Sequence, residues 1–154
     1  MNRSKTAKWF EVKVKYNTLT AEGSQKPVRE TYVVDALTFT EAEAAIIREL
    51  KPTIRGMFDV VEERVAPYGE IFFRDKAEEG KYYKVHLLFI TLDEKSGKDK
   101  KQNVYYLVEA MSLEEARRRI DEVMRTGVTD YVIVGVNETR IIGVFEHDLN
   151  DKTL

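Results

Sequence analysis

His86 and His147 are the only imidazoles in this 154-residue chain, and it contains no cysteine. That shortage narrows the chemistry at once. Neither histidine has a second imidazole or a thiolate at ligand spacing, so no metal site and no bound cofactor are expected. Disulfides and thiol nucleophiles are excluded together. The adjacent carboxylates Glu62-Glu63, Asp93-Glu94 and Glu114-Glu115 point apart on a strand or a helix, and they read as solvated surface rather than an acid–base pair. The chain has no glycine-rich phosphate loop, no G-x-S-x-G elbow and no H-E-x-x-H motif. No catalytic residues are expected.

Aromatic rings interleaved with cations offer different chemistry. On period-two alternation, Trp9, Tyr82 and Tyr105 share a strand face with Lys13, Lys15, Lys84 and His86. Flat rings beside cations can stack a base and hold its phosphate, with stacking worth about 1–3 kcal/mol per base. The same rings can instead pack the two halves of the chain, or two protomers, against each other. Leu88 and Ile90 on that face favour packing, because they would otherwise lie exposed. The two readings are compatible, since a seam between protomers can form a ligand groove. A basic patch is the second candidate: Lys95, Lys98, Lys100 and Lys101 in one turn region, and Arg117 and Arg118 of the run Arg117-Arg118-Arg119. Solvated surface is the plain alternative there, with Asp121 and Glu122 neutralising part of the charge.

The elements that carry these residues occur twice. Val34-Asp35-Ala36-Leu37-Thr38-Phe39-Thr40-Glu41-Ala42 returns as Val108-Glu109-Ala110-Met111-Ser112-Leu113-Glu114-Glu115-Ala116, and Lys8-Trp9-Phe10-Glu11-Val12 as Lys81-Tyr82-Tyr83-Lys84-Val85. The chain is one unit used twice. Phe10, Val12, Val14 and Tyr16 alternate with Glu11, Lys13 and Lys15, as Tyr83, Val85, Leu87 and Phe89 do with polar neighbours, which predicts a half-buried first strand. A polar turn follows, Thr20–Ser24 or Asp93–Lys98, with one more residue in the second copy. The next strand covers residues 31–36 or 104–110. Thr38 and Ser112, each three residues before a glutamate, read as capping boxes. The helices then show Phe39, Ala42, Ile46 and Leu50, or Leu113, Ala116, Ile120 and Met124, at helical spacing, ending near Pro52 and Gly127. A third strand spans residues 58–65 or 131–136. Ile71-Phe72-Phe73 and residues 141–145 extend it or form a short fourth strand. The expected fold is α+β, a tandem duplication of a ββαβ(β) unit with antiparallel sheets and one helix per repeat. The repeats run 1–75 and 80–148, followed by a tail at 149–154, and they form one pseudo-symmetric domain around a shared apolar surface.

Composition bounds the setting. The chain is 43% hydrophobic and 34% charged with net charge −2, ordinary for a soluble domain and without a bulk electrostatic grip on nucleic acid. Its apolar runs are strand-length, far short of the roughly 20 residues a membrane helix needs. No charged segment followed by an apolar stretch opens the chain, so a secretory leader is not expected and a cytoplasmic location is.

The segments Trp9-Phe10-Glu11-Val12-Lys13-Val14, Val34 to Ala44 and Phe89-Ile90-Thr91-Leu92-Asp93-Glu94-Lys95-Ser96-Gly97 resemble a domain-of-unknown-function family of gut anaerobic bacteria, their prophages and phages. The resemblance covers about Lys8 to Phe145. It implies a small phage-associated protein of the host cytoplasm and carries over no catalytic residue. The resulting expectation is a non-catalytic binding protein, homodimeric through its sheet face, for an anionic nucleotide or short nucleic acid. In a phage setting it would sequester a host defence signal. The rival expectation is an adaptor or inhibitor that docks a host protein through its sheet.

Overall fold

Alternating apolar residues become long hairpins in the computed structural model, which describes residues 2–3, 8–75 and 80–146. In chain order the elements are β1 (Asn2–Arg3), β2 (Lys8–Leu19), β3 (Gln25–Ala36), α1 (Phe39–Leu50), β4 (Phe58–Val65) and β5 (Glu70–Phe72). These are followed by β6 (Lys81–Leu92), β7 (Asp99–Ala110), α2 (Leu113–Arg125), β8 (Asp130–Glu138) and β9 (Ile141–Phe145). The fold is α+β, with two mixed sheets and one helix on each, consistent with the tandem duplication.

The extra residue of the second copy sits in its hairpin loop. Thr20 N–H donates to Ser24 O at 2.8 Å in one loop, and Asp93 N–H donates to Lys98 O at 2.9 Å in the other. Gly23 (φ 84°) and Gly97 (φ 70°) close these turns in the left-handed region, where a Cβ is penalised. Both capping boxes form. Thr38 Oγ1 accepts from Glu41 N–H at 3.1 Å and Ser112 Oγ accepts from Glu115 N–H at 3.1 Å. Each glutamate also reaches back to a backbone N–H, that of Leu37 or Met111.

Two compact units result. One comprises Lys5–Ala66 with Arg140–Leu154, the other Met1–Ser4 with Pro67–Thr139. In the first, the strand order is β4-β2-β3-β9. Phe10, Val12, Val14, Tyr32 and Val34 face α1 and pack on its Ala42, Ala45, Ile46 and Leu50. In the second, the order is β1-β5-β7-β6-β8. There Tyr83, Val85, Leu87 and Val108 pack on Ala116, Ile120 and Met124 of α2.

The short segments at 70–72 and 141–145 are separate fourth strands, and each joins the sheet built by the other hairpin. Strand β9 lies parallel to β3, with Phe145 opposite Val34, and β5 lies parallel to β7, with Phe72 opposite Val108. The two pairings are equivalent, so the repeats exchange these strands reciprocally. Phe145 stacks on Tyr32 at 5.5 Å, and Phe72 meets Tyr106 edge-on at 5.4 Å. A matched β-bulge completes the likeness. The β2–β4 register slips between Lys13 and Val14, leaving Val61 extra, and the β6–β8 register slips between His86 and Leu87, leaving Val134 extra.

Candidate ligand-binding face

Lys84, His86, Leu88 and Ile90 project from β6 on the face away from α2, because their alternation partners Tyr83, Val85, Leu87 and Phe89 fill the helix side. In register beside them on β7 lie Leu107, Tyr105, Asn103 and Lys101. His86 and Tyr105 are direct cross-strand partners, and their rings stack with centroids 4.6 Å apart and planes 18° from parallel. Lys84 Nζ sits 4.8 Å from the centre of the Tyr105 ring, a cation–π arrangement. His86 Nε2 lies 2.8 Å from Asn103 Oδ1. With Oδ1 engaged, the Asn103 amide N–H groups are left to donate elsewhere. On the other side of β6, the partner of His86 on β8 is Gly135, which has no side chain to cover the imidazole.

The matching face of the first hairpin is chemically different. Glu11 stands where Lys84 does, Lys13 for His86, Thr31 for Tyr105, Glu62 for Gly135 and Arg64 for Asn137. Lys13 pairs with Glu62 at 3.1 Å. Arg64 Nε donates to the largely buried Glu11 carboxylate at 2.7 Å, reinforced by a second Arg64 contact. Those four side chains neutralise one another pairwise, whereas Lys84, at the matching position on the β6–β7 face, has no carboxylate partner among the described residues. Lys84, Lys95, Lys98, Lys100 and Lys101 form no ion pair among the described residues.

The sequence-derived candidates are therefore divided between two sheets. Trp9, Lys13 and Lys15 lie in one, while Tyr82, Lys84, His86 and Tyr105 lie in the other. Trp9 is 1% exposed and Tyr82 9% exposed, so neither shows a ring face to an incoming ligand or to another protomer. The Trp9 indole N–H has no hydrogen-bond partner among the described residues. Stacking capacity falls to His86 and Tyr105, which are half-exposed. His147 lies outside the described residues.

The basic patch also divides. Lys101 shares the face of Tyr105, while Lys100 points to the opposite face and Lys95 and Lys98 occupy the hairpin turn. Arg117 is exposed, and Arg118 lies 3.9 Å from both Glu115 and Glu122. Arg119, the third of the run, has a structural role. It donates to the carbonyls of Glu109 at 2.8 Å and Phe73 at 2.7 Å. The Glu109 carboxylate in turn accepts from Arg74 N–H at 2.9 Å and Gly80 N–H at 3.3 Å. Asn103 and Gly135 escape a reading by alternation because neither is aromatic, apolar or charged. Aligning the two repeats position by position is the signal that exposes Gly135, since Glu62 stands in its place.

Among the described residues no group of three or more His, Cys, Asp and Glu side chains is placed to hold a metal ion. No helix among them is long and apolar enough to cross a membrane. Fold and face together define a class: an α+β protein of two similar sheet units whose matched outer faces have diverged, one carrying the Glu11–Arg64 and Lys13–Glu62 ion pairs and the other the His86–Tyr105 stack beside Lys84. The chain belongs to the DUF4494 family, described as a domain of unknown function, whose model matches residues 8–147. No curated protein and no solved structure matches it.

Proposed function

We propose that this protein is a non-catalytic binding protein for an anionic ligand carrying a planar base, a nucleotide or a short nucleic acid, taken up on the β6–β7 face. One observation carries the reading. The positions that form ion pairs on the first sheet are occupied on the second by Lys84, His86, Gly135 and Asn137, with Tyr105 stacked beside them. The scaffold does not need that change, since the first hairpin holds the same fold without it. Stacking on an aromatic ring and a charge-assisted contact to phosphate are the two interactions such a group supplies. In a phage-infected cell the same chemistry would serve a sponge that sequesters a nucleotide signal of host defence, acting in the host cytoplasm.

Calorimetric titration with mononucleotides and short single-stranded oligonucleotides tests the proposal. Replacing both stacked rings, His86 and Tyr105, with alanine is expected to weaken binding about 5- to 150-fold, the range of one lost stacking contact. Binding should also fall as salt rises. Absence of binding by any of these ligands at low salt would sink it.

A second reading, docking of a host protein, is favoured by one observation. Strand β8 is a sheet edge on which Val132 and Val134 are exposed, and such an edge can accept a partner strand. Val134→Lys would abolish that docking and leave nucleotide binding intact.

A further inference from the structure

We propose that a single base slots against the outer face of the His86 imidazole, in the space above Gly135, with its phosphate on Lys84. This rests on the nucleotide reading above and assigns the site within it. The stack itself gives the geometry. Tyr105, on β7, covers one face of the His86 ring, so the other face is turned toward β8, whose residue in register is Gly135. Among the described residues, its own chain neighbours aside, a Cβ built at Gly135 meets only Asn137 Nδ2, at 3.8 Å, and no atom of His86 within 4 Å. Adjacent strands stand about 4.8 Å apart, so a planar ring placed there continues the Tyr105–His86 stack at ordinary contact distance.

The rim of the slot supplies what a nucleotide unit needs. Asn137 pairs with Lys84 across β6–β8, and Val132 pairs with Leu88 on the other side. An amide thus meets one edge of the base and apolar carbon the other. Lys84 lies two residues along β6 from His86, about 7 Å, a separation of the order of that between a base and its own 5′-phosphate. Tyr105 already holds the ammonium near the stack. On the first sheet the equivalent space is taken by Glu62, ion-paired to Lys13, so only one of the two repeats carries a slot. Gly135 does not adopt positive φ, so nothing in its backbone conformation demands glycine. Its lack of a side chain serves the slot.

The experiment uses the full chain with the four ribonucleoside 5′-monophosphates and the matching nucleosides as probes. Gly135→Val fills the space with a residue that strands favour. Its melting temperature should equal or exceed that of the wild type, while nucleotide affinity drops about tenfold or more. Lys84→Gln should weaken the monophosphates and leave the nucleosides unchanged. In the wild type, the His86 ring protons should move upfield in NMR spectra when nucleotide is added, and in Gly135→Val they should not. If Gly135→Val binds like the wild type while Lys84→Gln and the variant with His86 and Tyr105 both replaced by alanine are weakened, the slot is overturned and the nucleotide reading survives. If the wild type binds none of the probes, the slot falls, and the nucleotide reading then stands only on an oligonucleotide titration.

Discussion

Glu63 sits where the second repeat has Val136: Val12 is its register partner on β2, as Val85 is for Val136 on β6. A carboxylate thus occupies a position that the duplicated pattern reserves for an apolar side chain. One of its oxygens is buried with no partner among the described residues. Burial first, and the charge of nearby Glu43 second, push its pKa above the ordinary carboxylate value. A raised acid pKa means that the folded state holds the proton more tightly than the unfolded chain does, so ionisation destabilises the fold. Glu63→Gln, which cannot ionise, is therefore expected to be more stable than wild type at pH 7 in urea unfolding. The advantage should shrink as pH falls and vanish below about pH 4, where Glu63 is protonated in both states. An equal gain at every pH would rule out this account. The same comparison of matched positions marks how far the candidate site was legible. Alternation placed Lys84, His86 and Tyr105 on one face. It could not show that Trp9 and Tyr82 are covered, because period two reports a side and not what packs there.

At the scale of elements, both hairpins, both helices and their caps followed from local rules, since each depends on contacts within a few residues of sequence. The caps are correspondingly testable. Thr38→Ala and Ser112→Ala should each cost about 1 kcal/mol in urea unfolding, the usual price of a lost N-cap. The bracing around the β5–β6 connection was not legible, because it joins residues far apart in sequence. Gly80 lies so close to β7 that a Cβ there would come within 2.7 Å of Ala110 O. Backbone cannot yield cheaply at that distance, so Gly80→Ala should lower the melting temperature although alanine is the better residue for most backbone. Arg119→Lys tests the other end of the brace. One ammonium cannot reproduce the guanidinium fork that reaches the carbonyls of Glu109 and Phe73. Amide exchange at Phe73 and Arg74 should accelerate relative to wild type, whereas exchange in the β2–β3 hairpin should not change.

Across the whole molecule, the exchanged fourth strands decide how the duplication is built. Three to five residues carry too little pattern to specify a partner, so the sequence could place β5 and β9 beside their own repeats or elsewhere with equal ease. The two strands pair in equivalent registers, Phe72 opposite Val108 and Phe145 opposite Val34. Ile71-Phe72 and Val144-Phe145 are thus interchangeable in kind, each adding a parallel strand and one aromatic ring to a three-stranded sheet. An isolated first repeat, residues 8–75, would keep the β3 edge that β9 normally covers and would carry its own copy of the covering strand at Glu70–Phe72. Two such chains can satisfy each other by exchanging that segment, with Phe72 of each opposite Val34 of the other, because exchange of an identical element is a low-cost route to a dimer. Sedimentation equilibrium of the 8–75 fragment should therefore show a folded dimer that dissociates when Phe72 is replaced by Asp. A cooperatively folded monomer, indifferent to that substitution, would show that the exchanged strand is dispensable and that each repeat closes on its own.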